Sequence, residues 1–193
     1  HPDVADEVNE AVLEEYRALV RENPKVKAIG EIGLDYYWEE NPPKEFQQQV
    51  FRAQMQLARE LDLPVIVHDR EAHADSLAIV KEFPDVRGVF HCYAGSLEDA
   101  KVLVDLGWML SFTGVITFKN ARKAVEVASQ IPLDRIVLET DCPYLSPEPN
   151  RGKRNSSLNL PYVVQTLALL KEISKEEVER ITWENASRLY HMD

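Results

Sequence analysis

The chain has 193 residues, with 33 acidic against 22 basic side chains, a formal net charge of −11, and 45% hydrophobic residues. That composition excludes a disordered chain and a protein that coats nucleic acid through an overall basic surface. No apolar run reaches the ~20 residues that a membrane-spanning helix needs, so no membrane partner is expected.

The acidic opening HPDVADEVNE lacks the apolar core of a signal peptide. Cys92 and Cys142 are too few for a disulfide framework. The expected setting is therefore cytoplasmic, and the length suggests a single domain.

Taken in chain order, Val4, Val8, Val12, Tyr16, Leu19 and Val20 recur at helical spacing, and Asn23-Pro24 ends that helix. A short β-branched strand is predicted over Val26 to Ile32. A helix follows Pro42-Pro43 and runs to about Leu61, since proline is tolerated where a helix begins. LPVIVH (Leu63 to His68) reads as the second strand, with a helix from about Glu71 to Phe83 after it. VRGVFH (Val86 to His91) is the third strand. Ser96-Leu-Glu-Asp99 resembles a capping box that opens a helix closed by Gly107. Trp108 to Phe112 is the fourth strand and Asn120 to Gln130 the next helix. A fifth strand covers Arg135 to Thr140, and two helices end the pattern, about Leu160 to Ile173 and Lys175 to Leu189. Ser174 and Glu177 form a capping pair for the last.

The strands are continuous apolar runs, which implies burial on both faces, and helices between consecutive strands imply parallel pairing. The class is α/β. An open doubly wound sheet and a (β/α)8 barrel both fit. No glycine-rich phosphate loop follows any strand, which removes the nucleotide-binding open sheets that carry such a fingerprint.

Four predicted strands end in a metal-ligand type of residue: Glu31, His68, His91 and Asp141. Parallel α/β folds bind ligands at the carboxyl ends of their strands, so these side chains are expected to meet at one mouth. Two imidazoles and two carboxylates suit a divalent ion, Mg²⁺, Mn²⁺ or Zn²⁺, that acidifies water and polarises an electrophile. Each taken singly is more often a hydrogen-bonded core or rim residue, a helix cap or a salt-bridge partner than a ligand, and it is their repetition that argues for a metal. Arg151, Lys153 and Arg154 lie in a loop after Asp141, and Arg70 lies two residues past His68. Beside a metal cleft these cations read as phosphate contacts. Elsewhere they would be solvated charge or, for Arg70, a helix cap. Tyr36, Tyr37 and Trp38 read as packing or lid residues or as base-stacking groups. Both cysteines read as packed thiols that point away from the ligands, provided the chain stays extended there. His73 and His191 read as solvent-facing.

Beyond these single residues, the strings GEIGLDYY (Gly30 to Tyr37), PVIVHDREA (Pro64 to Ala72), VFHCYAGS (Val89 to Ser96), LSFTGVITF (Leu110 to Phe118), LETDCPYLSP (Leu138 to Pro147), RGKRN (Arg151 to Asn155) and ITWENASRLY (Ile181 to Tyr190) occur in this order. Together they resemble the TatD family of metal-dependent deoxyribonucleases, within the amidohydrolase-like (β/α)8 barrels, over nearly the whole chain. The resemblance implies a TIM-barrel-type phosphodiesterase that uses one or two divalent metal ions and takes DNA as substrate. It implies that Glu31 bridges the metals, that His68 and His91 hold one, and that Asp141 binds the other and orients or deprotonates the attacking water. Arg70, Lys153 and Arg154 are then the phosphate-binding residues.

Two departures from the family pattern stand out. Family members begin with a strand carrying His-x-His, and here no two of the five histidines are separated by one residue. His1-Pro2 resembles the family's His-Pro at the end of the third strand. On that resemblance the chain is N-terminally incomplete, a partial barrel of about five parallel strands with helices. Its open edges are then expected to be covered by self-association or to rearrange. After RGKRN, Ser156-Ser157 replaces the family's Glu-Pro. Besides a DNase, the residues admit a weakly active or inactive remnant of that fold, or a hydrolase of a small ester, lactone or amide.

Overall fold

The computed structural model describes residues 1–192 and divides the chain into two compact units, residues 1–90 with 189–191, and residues 91–188 with Met192. Each unit alternates helices with parallel strands, in the α/β order expected. No helix among the described residues is long and apolar enough to cross a membrane.

In the first unit, α1 (Glu10–Glu22) is opened by Asn9, whose side chain accepts from the backbone N–H groups of Ala11 and Val12. The strands β1 (Ile29–Asp35), β2 (Val65–Arg70) and β3 (Gly88–Phe90) pair in parallel, with Gly33 opposite His68 and Asp35 opposite Arg70. The apolar face of α2 (Lys44–Leu61) supplies Phe51, Met55 and Leu57, all fully buried, and α2 packs on β1. Leu34, Val65 and Val67 are likewise buried, each contributing about 1.5–3 kcal/mol of hydrophobic stabilisation. The helix after His68 is shorter than expected: α3 covers His73–Lys81.

In the second unit, Ser96 caps α4 (Leu97–Asp105) by accepting from the Asp99 N–H at 3.0 Å. Its hydroxyl donates to the Asp99 carboxylate at 2.8 Å, a side-chain closure in place of the full capping box. Gly107 follows at φ +89°. Strands β4 (Met109–Phe112) and β5 (Ile136–Leu138) pair in parallel and are almost wholly buried. Helices α5 (Arg122–Gln130), α6 (Leu160–Lys171) and α7 (Lys175–Tyr190) complete the elements. Lys171 ties the end of α6 to the end of α5: its ammonium donates to the carbonyls of Ser129 and Ile131, and burial pushes its pKa down. Asn185 on α7 donates to the carbonyls of Leu133 and Ile136, which fixes the entry into β5.

Further boundaries differ from expectation: β2 runs two residues past His68 and β3 stops just before His91, so neither histidine ends its strand. The first strand lies three residues later than predicted, so Glu31 sits within β1 and not at its end. A register irregularity between Gly30 and Ile32 lets the chain run on to Asp35. The segment before α1 is a separate 3₁₀ stretch, Pro2–Glu7. The fifth strand stops at Leu138, so Glu139 to Asp141 belong to a loop.

Candidate metal centre

In the first unit, Glu31 and His68 come together: the His68 Nδ1 lies 3.6 Å from the Glu31 Oε2. His1, which carries no ligand role in the sequence reading, joins them, its Nε2 3.9 Å from the same oxygen. One ligand atom from each of His1, Glu31 and His68 lies within 4.8 Å of the others. Two donors each ~2.1 Å from a tetrahedral cation sit about 3.4 Å apart, so this nitrogen-rich set fits a divalent ion with little adjustment.

What fixes the donors is a set of carboxylates behind them. The His68 Nε2 is 3.0 Å from the Asp35 Oδ2, and Asp35 is 2% exposed. With a proton on Nε2, the lone pair of Nδ1 faces Glu31. The Asp35 carboxylate also accepts from the Tyr37 N–H, and Gln47 clasps the Asp35 backbone by accepting from its N–H and donating to its carbonyl. His1 follows the same plan, with Nδ1 2.5 Å from Asp3 and Nε2 turned to Glu31.

The second unit repeats the arrangement. The His91 Nδ1 lies 2.5 Å from the Glu139 Oε2, and its Nε2 is 3.7 Å from the Asp141 Oδ1. The other oxygen of Glu139 accepts from the Cys92 N–H at 2.8 Å and from the Ser111 hydroxyl. Asp141 holds a left-handed backbone, φ +54°, which aspartate tolerates better than most residues. The loop bearing it is anchored by buried Asn155, whose amide donates to the carbonyls of Thr140 and Tyr144.

The expected cations are distributed between the units. Arg70, at the end of β2, is exposed and lies with its guanidinium 4.0 Å above the Tyr37 ring. Lys153 and Arg154 are exposed in the loop after Asp141, and Arg151 lies over Phe118 at 4.1 Å. Tyr36 is a packing residue: its hydroxyl donates to Asp75 and accepts from Gln48, each at 2.8 Å. Burial pushes this phenol up to about 12, with Gln48 opposing and Asp75 reinforcing the rise.

Some single-residue expectations need correction. Cys142 is exposed, because the chain beyond Leu138 does not remain extended. Cys92 is half-buried beside the Thr113 hydroxyl, on a left-handed backbone of φ +43°. His73 is half-buried against Asp69 at 2.7 Å, whereas His191 is exposed, as expected, with Arg87 at 2.6 Å. His1, Asp35 and Glu139 are the residues that sequence reasoning passed over. Asp35 and Glu139 stand in the quoted strings GEIGLDYY and LETDCPYLSP, and His1 in the His-Pro pair, but periodicity gives no sign of which carboxylate backs which imidazole.

The chain is 46% identical over 187 residues to the uncharacterized metal-dependent hydrolase YabD of Bacillus subtilis (strain 168), covering 94% of this chain and 73% of that protein. It is 35% identical over 199 residues to the 3'-5' ssDNA/RNA exonuclease TatD of Erwinia tasmaniensis, covering 100% of this chain and 76% of that protein. The crystal structure of YJJV, a TatD homolog from Escherichia coli K12, superposes with a TM-score of 0.91 at 31% identity, over 100% of this chain and 75% of that one. The family model described as TatD related DNase matches residues 1–191. The chain thus belongs to the TatD-related DNase family and shares its α/β, TIM-barrel-type fold class.

Proposed function

We infer that this chain is a metal-dependent hydrolase acting on DNA phosphodiester bonds. The observation that carries the reading is the His1, Glu31 and His68 cluster, three ligand atoms within 4.8 Å backed by a buried carboxylate. The family description and the exonuclease name of the Erwinia relative support nucleic acid as the substrate class.

When bound, a divalent cation supplies Lewis-acid polarisation of a phosphoryl oxygen and lowers the pKa of water. In the first unit Glu31 and His68, with His1, would hold such an ion. In the second, His91 and Asp141 are the corresponding donors. Asp141 is the group that takes the proton from the attacking water, since a carboxylate kept ionised by a neighbouring cation is a competent base at neutral pH. Arg70 in the first unit, and Lys153 and Arg154 in the second, are the phosphate contacts of this reading. Asp35 and Glu139 keep the imidazoles in one tautomer, so that the nitrogen facing the ligand carboxylate carries a lone pair.

The test is cleavage of end-labelled single-stranded and duplex DNA with Mg²⁺, Mn²⁺, Zn²⁺ or a chelator. Stimulated cleavage that disappears in Glu31→Gln and in Asp141→Asn is the expected result. If none of the ions stimulates cleavage, the reading fails, and calorimetry of metal binding then tells a scaffold that still holds an ion from one that does not.

A further inference from the structure

Two of the three first-unit metal donors, His1 and His68, line a groove of about 390 Å³, together with Trp38, Asn41 and Arg70. That volume is in the range of small-ligand sites. Trp38 and Tyr37 follow directly on Asp35, so the strand that orients His68 also sets these rings. They meet edge to face, centroids 4.7 Å apart at 89°, yet remain 46% and 45% exposed. Their packing leaves much of the ring surface in water.

The Arg70 guanidinium carbon lies over both, 4.0 Å from the Tyr37 centroid and 5.3 Å from that of Trp38, within cation–π range. Among the described residues no carboxylate lies within ion-pair distance of Arg70. A guanidinium whose contacts are aromatic faces keeps N–H donors for an anion. The groove therefore offers an aromatic face just past the end of β1, a planar cation at the end of β2, and the candidate metal donors His1 and His68.

We propose that Trp38, Tyr37 and Arg70 form a subsite for one unpaired nucleobase and its phosphate in single-stranded nucleic acid. The inference rests on the phosphodiesterase reading for the identity of its ligand. The base lies on the Trp38 ring, and Arg70 holds the attached phosphate, so the next phosphodiester reaches the donors His1, Glu31 and His68. A base inside a duplex is stacked on both faces and cannot take this position, so single strands and frayed ends bind and duplex interiors do not. Charge contributes little here, because Asp3 and Glu40 also line the groove. Stacking carries the affinity.

The experiment uses tryptophan fluorescence in a Trp183→Phe background, since Trp183 is 67% exposed and Trp108 only 2%. Trp38 is then the accessible indole. The probe is a phosphorothioate-linked thymidine tetranucleotide, which resists hydrolysis, added in Mg²⁺ buffer. Saturable quenching is expected, with an abasic tetramer of equal charge binding about tenfold or more weakly. Anisotropy of a fluorescein-labelled tetramer should show Trp38→Leu binding equally weakly and Trp38→Phe nearly restored, since phenylalanine keeps a ring face. Equal binding of the abasic and thymidine tetramers, or full affinity in Trp38→Leu, overturns the subsite. Because the readout needs no turnover, a chain that binds the tetramer through Trp38 but cleaves nothing retains the subsite and loses the proposed activity.

Discussion

An imidazole has two nitrogens, and a metal site needs one to carry a proton and the other a lone pair. The structure solves this at His1, His68 and His91 in the same way, with a carboxylate at one nitrogen and a ligand carboxylate facing the other. Removing the charge behind His68 should therefore weaken the ion without unfolding the chain. Asp35→Asn is expected to reduce divalent affinity about 10–100-fold while the far-ultraviolet circular dichroism is unchanged, as calorimetric titration with Mn²⁺ or Zn²⁺ would report. Unchanged affinity would show that the Asp35 carboxylate serves only the turn, through its bond from the Tyr37 N–H. Tyr36 gives a second test at this scale. Its pKa is raised from the ordinary value near 10 to about 12, so the folded state holds its proton longer than the unfolded chain does. The associated stability is fully present below pH ~10 and is lost as pH rises through about 12. The tyrosinate absorbance missing in Tyr36→Phe should accordingly be the portion that appears last in an alkaline titration. A loss of absorbance near pH 10 instead would contradict the half-buried Asp75–Tyr36–Gln48 arrangement.

At the scale of elements, the ligands depend on how closely two strands approach. Gly33 has φ +132°, and a Cβ there would meet the His68 carbonyl oxygen at 2.0 Å, far inside any tolerated contact. Gly33→Ala must push β1 and β2 apart at the residue pair that aligns Glu31 with His68. We expect a loss of about 3 kcal/mol or more, read as a Tm lower by about 6–12 °C, together with weakened metal binding. A Tm within about 2 °C of the parent would mean that the strands separate freely there. The same pair of strands shows how far the sequence can be read. β2 was legible because Val65 to Val67 form an unbroken apolar run ahead of a polar end. β1 was misplaced by three residues because its glycines and its buried Asp35 have no strand propensity of their own. Asp35 is extended because Gln47, twelve residues on in α2, satisfies its backbone, a tertiary contact that no local pattern records. His1 was passed over for a related reason: it lies on no strand and meets Glu31 only through the fold. The ligand types at 31, 68, 91 and 141 were legible from position along the chain, and the carboxylates behind them were not.

For the molecule as a whole, a net charge of −11 opposes a polyanionic substrate at long range, so the electrostatic share of binding must come from few, local cations. Arg70, Lys153 and Arg154 are the candidates, each exposed. Three phosphate contacts on a single strand predict a slope of about −2 for log affinity against log salt. Raising monovalent salt fourfold should then weaken oligothymidylate binding about 15–20-fold, against the thousandfold or greater loss of a protein with 6–10 contacts. Anisotropy of a nuclease-resistant probe across a salt series in Mg²⁺ would measure the slope. Each single alanine substitution at these three positions should flatten it by about 0.7, and the triple variant should bring it near zero. A slope unmoved by all three would relocate the phosphate contacts to other cations. A parent slope near zero would leave base stacking and the divalent ions as the whole basis of recognition, with these basic side chains serving as solvated charge on an acidic surface.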